Sequence, residues 1–167
     1  MGDLPVYVLE RRFNASRDLV WRAWTEPDLL SHWFGPNIET IIHKFELEPG
    51  GLWLNEMRMG DTSMYQRAEF TEVTPTTRLC WLQGSSDADW NLIKTPNMPD
   101  WPLQMLTEVA FESDGDATQM RLEWTPFEAS KAEIEAFAAA MDGLGKGWGA
   151  GMDLLADLLN DLQARSV

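Results

Sequence analysis

The most regular pattern in the chain lies near its C-terminal end. Phe137, Met141, Leu144, Trp148, Met152, Leu155 and Leu159 recur at three- and four-residue steps, the spacing of one apolar stripe on an α-helix. Ser130-Lys131-Ala132-Glu133 is a capping box, so the helix is predicted to start there and run to about Gln163. The stripe keeps its phase through Gly143, Gly145, Gly147, Gly149 and Gly151, a glycine at every second position. Each costs about 1 kcal/mol of helix propensity relative to alanine, so something must offset the run. Two readings are open: the helix backbone packs closely on a curved sheet, or a softened helical wall borders a pocket that admits a ligand.

Upstream the period changes to two. Residues 5–13 are rich in β-formers, and Ser16 can cap a helix in SRDLVWRAW with Leu19, Val20, Ala23 and Trp24 on one side. Thr25-Glu26-Pro27 breaks that helix before a second short one, Asp28 to Trp33, stopped by Gly35-Pro36. Over residues 38–47 the alternation puts Ile41, His43, Phe45 and Leu47 on one face of a strand. After the turn Pro49-Gly50-Gly51, LWLNEMRM places Trp53, Asn55, Met57 and Met59 together. Further strands are predicted at 65–73, 78–83, 103–112 and 117–125, with Asp114-Gly115-Asp116 as the hairpin turn between the last two. About seven strands with turns roughly 8 to 12 residues apart describe an antiparallel meander, not βαβ units. The stretch 84–102 (GSSDADWNLIKTPNMPDWP) is too long for a hairpin, and Trp90, Met98 and Trp101 make it either a lid or a loop docked on the surface.

Composition narrows the function. With 167 residues and 44% hydrophobic content, the expectation is one domain spanning 1–167. A formal charge of −14 argues against nucleic-acid binding, since a phosphate backbone would be repelled. Cys80 is the only cysteine and can form no internal disulfide, the N-terminus lacks the apolar run of a signal peptide, and no segment approaches a membrane span. A cytoplasmic location is expected. Nine Trp and nine Met fit either a tryptophan-rich core or a lined cavity, methionine being the more adaptable wall material.

Trp24-Thr25-Glu26-Pro27, Trp33-Phe34-Gly35-Pro36, Glu48-Pro49-Gly50-Gly51 followed by Trp53, and Trp148 followed by Leu154-Leu155 and Leu158-Leu159 together resemble the SRPBCC superfamily (START/Bet v1-like). The likeness is to the branch similar to the C-terminal domain of the activator of Hsp90 ATPase, and it spans about Val6 to about Leu162. The resemblance implies an α+β helix-grip fold: a curved antiparallel sheet of about seven strands, two short helices, and a long C-terminal helix over the concave face. It also implies an apolar cavity between sheet and helix.

The expected function is therefore binding of a small hydrophobic ligand, lipid-like, polyketide-like or aromatic. Its expected walls are the sheet residues Trp53, Asn55, Met57, Phe70, Trp81, Val109 and Leu122 and the helix residues Phe137, Met141, Leu144 and Trp148, with Asn55 or His43 orienting the ligand. The residues favour a binder over an enzyme. An aromatase- or cyclase-type enzyme would need His43 or Tyr65 in the cavity, and a chaperone-associated module is the other alternative, by resemblance only. Gly145-Lys146 lacks the preceding glycine and following Ser or Thr of a P-loop. Gly145-x-Gly147-x-x-Ala150 follows a helical pattern instead of the strand a dinucleotide fingerprint requires. His32, His43 and Cys80 form no metal-ligand spacing, so no metal or cofactor is expected, and homodimerisation is left open.

Overall fold

The computed structural model describes residues 5–34, 38–95 and 98–165, so the predicted helix stop at Gly35-Pro36 lies outside the described residues. The element order is β1 (Tyr7–Phe13), α1 (Arg17–Thr25), α2 (Pro27–Trp33), β2 (Glu39–Phe45), β3 (Leu52–Met59), β4 (Thr62–Thr74), β5 (Arg78–Ser86), β6 (Gln104–Asp114), β7 (Ala117–Phe127) and α3 (Lys131–Arg165). The strands form one antiparallel sheet in the order β1-β7-β6-β5-β4-β3-β2. β2 to β7 are a continuous meander, and the α1–α2 pair carries the chain from β1 at one edge to β2 at the other.

Local chemistry sets the boundaries as expected. Ser16 accepts a hydrogen bond from the Leu19 amide at the start of α1. The capping box of α3 is formed both ways: the Glu133 amide donates to Ser130 Oγ at 3.2 Å, and the Ser130 amide donates to Glu133 Oε1 at 2.9 Å. The helix then runs unbroken through its glycines to Arg165.

Two irregularities reshape the sheet. The β2–β3 register slips between Ile42 and Lys44, and the β4–β5 register slips between Phe70 and Glu72. Each inserts a residue that bends its strand. In β2 the extra residue is His43. Ile42 therefore pairs with Asn55 and Phe45 with Trp53 on the concave face, while His43 turns to the opposite face. This corrects the expectation that Ile41, His43, Phe45 and Leu47 share one side: strict alternation fails where a bulge adds a residue.

The core fills the space between α1, α2, α3 and one half of the concave face. Trp24 and Trp33 lie 4.6 Å apart at 68°, and the Trp33 indole donates to the Ala23 carbonyl at 3.0 Å. Trp53, Phe70 and Trp81 interlock beneath them, with Trp53 and Trp81 edge to face at 5.2 Å. α3 is anchored at its far end by Met152, Leu155 and Leu159 in the core, by the Arg11–Asp153 ion pair, and by Gln163 Nε2 donating to the Asn14 carbonyl. Near its start it is held by Phe137 against Trp101 and Trp124. Between those anchors Met141, Leu144 and Trp148 are only half-buried.

Candidate functional site

A hollow lies under the middle of α3. Its inner chamber, about 300 Å³, is bounded by Trp33 and Phe34 from the end of α2, by Met57, Gln66, Gln83 and Trp124 from the sheet, and by Gly143, Leu144, Trp148 and Gly151 from α3. An outer chamber of about 650 Å³ continues from it toward the N-terminal half of α3 and the segment after β5. Met57, Gln66, Gln83, Trp124, Gly143 and Leu144 border both, so they form a waist between the two. Five of the nine methionines, Met57, Met59, Met64, Met98 and Met105, line the outer chamber, where an unbranched thioether can follow ligands of different shape.

The glycines have a specific relation to this space. A Cβ added at Gly143 or Gly149 would meet nothing within 4 Å, and one at Gly151 would approach only Trp33, at 3.7 Å. None of the three is there to let the backbone touch the sheet. Gly143 and Gly151 instead face the void, where their missing side chains leave room. Of the two readings of the glycine run, the pocket wall describes Gly143 and Gly151, while Gly149 borders neither chamber and makes no close backbone contact.

Of the residues expected to line the cavity, Met57, Leu144 and Trp148 do so. Trp53, Phe70, Trp81, Val109 and Leu122 are at most 3% exposed and are packed against one another as solid core, outside both chambers. Phe137 is fully buried against Trp101 and Trp124, and Met141 packs on the core edge without bordering the void. Large apolar residues facing inward fill a sheet until something holds them apart, and here the filling stops short of β3's far half. Trp33, Phe34, Gln66, Gln83 and Trp124 complete the side-chain walls of the inner chamber and were missed, as were Met59, Met64, Met98 and Met105 in the outer one. The signal for the glutamines was present: Gln66 keeps phase with Ala68 and Phe70, and Gln83 with Trp81, each a polar residue at an inward position of its strand.

Asn55 does not border the cavity either. Its Oδ1 accepts the Trp53 indole N–H at 2.6 Å, with Asn55 2% exposed. The same device recurs two strands away, where Gln83 Oε1 accepts the Trp81 indole N–H at 2.6 Å and the Thr107 hydroxyl at 3.2 Å. An indole N–H can only donate, so the amide atom facing it must be oxygen, and the Gln83 nitrogen is turned away from the core. No hydrogen bond to that nitrogen is formed among the described residues. Trp124 borders the same waist, and its indole N–H is buried without a partner.

On the other face of the sheet His43 Nε2 lies 2.9 Å from Glu56 Oε1, and Ser63 Oγ donates to Glu56 Oε2 at 2.6 Å, with Arg58 at 3.3 Å. The serine and histidine hydrogen bonds, then Arg58, hold the Glu56 carboxyl down at about 2 against the opposing effect of burial. Trp90 covers this cluster, its ring 5.4 Å from both His43 and Tyr65. Neither His43 nor Tyr65 reaches the cavity, so the residues an aromatase-type reaction would need there are on the wrong side of the sheet. The 84–102 segment thus serves both faces. β5 itself continues to Ser86, Trp90 folds onto the outer face, and Thr95, Met98, Trp101 and Pro102 wall the outer chamber, while Pro96 lies outside the described residues. Lys94 ties the segment to α3 by donating to the Trp101 carbonyl at 2.8 Å and pairing with Glu133.

Among the described residues no group of three or more His, Cys, Asp or Glu side chains is placed to hold a metal ion, and no helix is long and apolar enough to cross a membrane. No charged side chain among them lines either chamber.

A bent seven-stranded antiparallel sheet gripping a long C-terminal helix across its concave face, with a hollow between them, defines the helix-grip architecture of the SRPBCC superfamily. Residues 14–160 match the family model described as Activator of Hsp90 ATPase homolog 1-like protein, and the chain belongs to that family. Solved structures share the fold. A Mycobacterium smegmatis protein superposes with a TM-score of 0.75 at 19% identity, covering 95% of this chain and 96% of its own. An Arthrobacter aurescens protein solved by NMR gives 0.78 at 22% identity, covering 93% and 86%. A Nitrosomonas europaea protein gives 0.72 at 24% identity, covering 98% and 99%. No curated protein matches the chain.

Proposed function

We propose that this protein binds a small, neutral, largely apolar molecule in the two-chambered cavity under α3. The observation that carries the reading is the lining: tryptophan, phenylalanine, methionine and leucine side chains with two glutamines at the waist and no charge among the described residues. A charged ligand would be desolvated there without a counter-charge, which costs several kcal/mol, whereas a neutral apolar one gains about 25 cal/mol for each Å² it buries. Gly143 and Gly151 support the same reading, because they keep the roof thin where they border the space.

The test is titration with the neutral fluorescent probe N-phenyl-1-naphthylamine. Saturable binding at one site is expected, weakened at least tenfold by Leu144→Trp, which fills the waist from the roof, with an unchanged far-ultraviolet circular dichroism spectrum. Equal affinity in that folded variant, or no saturable binding by the parent, overturns the proposal.

A further inference from the structure

The waist also carries information about what the ligand must contain. Gln83 is 7% exposed and its amide oxygen is committed twice, to the Trp81 indole and to the Thr107 hydroxyl, both on fully buried residues. Those two donors fix the amide plane and leave the two N–H bonds of Nε2 without a partner among the described residues, on a side chain that borders both chambers. Gln83 Nε2 is not among the buried side-chain atoms left without a partner, so it opens onto the cavity as a donor held in a fixed direction, ready for an acceptor there. The neighbouring strand adds Gln66, one diagonal step from Gln83 in the β4–β5 register, half-buried and with its amide unbonded among the described residues. Trp124 adds a buried, unpartnered indole N–H at the same level. At this narrow belt between the chambers, Gln83 Nε2 is the polar group whose direction the protein fixes, and it is a donor.

We infer that the ligand is a neutral molecule with a hydrogen-bond-accepting oxygen, a ketone, ester or amide carbonyl, placed at the waist and bonded by Gln83 Nε2, with apolar groups on both sides of it. This deepens the apolar-binding reading and rests on it. A carboxylate is the wrong acceptor, because its charge would find no cation among the described lining residues. A pure hydrocarbon would leave the fixed amide N–H groups dry and unpaired. A site built to hydrogen-bond an oxygen discriminates against the analogue that lacks it far more sharply than an apolar wall discriminates by size.

Benzophenone and diphenylmethane are nearly isosteric and differ by a carbonyl in place of a methylene. Equilibrium dialysis of both against the full chain, and against Gln83→Glu and Gln83→Met, reads the inference directly. Glutamate keeps an oxygen for Trp81 and Thr107 but replaces the donor by an acceptor, and methionine removes the polarity at similar volume. The parent should prefer benzophenone about tenfold, and both folded variants should lose that preference. In ¹⁵N-edited NMR spectra the Gln83 side-chain amide should shift with benzophenone and stay in place with diphenylmethane. If both probes bind but without preference, or the preference survives in Gln83→Met, the inference is overturned and the apolar cavity stands. If neither probe binds the parent, both fall together.

Discussion

The Trp81 indole nitrogen donates to Gln83 Oε1 at 2.6 Å, two residues along the same strand and on the same face. This pairing decides both how a buried tryptophan is tolerated and which end of the glutamine the cavity sees. Trp81 is wholly inaccessible, so its N–H has no recourse to water if the glutamine oxygen is removed. Gln83→Leu should destabilise the fold by about 1–3 kcal/mol, the usual cost of orphaning a buried donor. Asn55→Leu should do the same through Trp53. Urea midpoints measured at a constant m-value check both, and an unchanged midpoint in either would mean that the indole finds another acceptor.

The glycines separate into two kinds. At Gly143 and Gly149 an added methyl meets nothing, and the backbone is helical. Alanine at either position should raise stability by about 1 kcal/mol through helix propensity alone. Gly51 is the opposite case: a Cβ there would sit 2.1 Å from the Glu46 carbonyl oxygen, across the tight turn between β2 and β3. Gly51→Ala must move backbone and should lower the thermal midpoint, while the α3 variants raise it. Loss of stability in Gly143→Ala would show that the helix needs its flexibility in the free state.

Cys80 supplies a prediction about reactivity. Its thiol is 3% exposed, and burial pushes its pKa up to about 11 even with Arg78 nearby to favour the thiolate. At neutral pH it should therefore be protonated and sheltered. Alkylation by iodoacetamide at pH 7.5 should be negligible over hours in buffer and complete within minutes in denaturant, as read by intact mass.

Much of this molecule is written as periodicity. The phase of Phe137, Met141, Leu144, Trp148, Met152, Leu155 and Leu159 predicted an unbroken α3, and the turn residues placed the strands within a few positions. The bulge at His43 left no mark, because no residue type is needed to insert one extra position into an edge strand. It moved a histidine from the expected cavity to the outer face. The cavity itself was harder to place for a different reason. A pattern says that Trp53, Phe70 and Trp81 point inward, but not whether inward residues meet in the middle. That depends on side chains from distant parts of the chain: Trp33 and Phe34 from the end of α2 and Trp124 from β7 border the same space, over about 90 positions of sequence, and their convergence is a property of the closed fold.

Acid should weaken the fold through Glu56. Glu56 is a carboxylate 9% exposed on the outer face, held by Ser63 and His43 and then Arg58, with its pKa lowered from 4.5 to about 2. A folded-state value below the unfolded one means that the unfolded chain binds the proton first as pH falls. The contribution of Glu56 to stability is then complete above about pH 4.5, declines as the unfolded chain is protonated, and is gone below about pH 2. Glu56→Gln removes the titration, so the stability gap between the parent protein and this variant should narrow steadily from pH 5 to pH 2 and be constant from pH 5 to pH 6. Urea titrations at half-unit intervals measure the gap, and ¹³C NMR of the Glu56 carboxyl gives the folded-state midpoint independently. A gap that does not change with pH would mean that the Ser63, His43 and Arg58 contacts hold the neutral acid as well as the anion, and the carboxyl midpoint would then lie near 4.5 instead of 2.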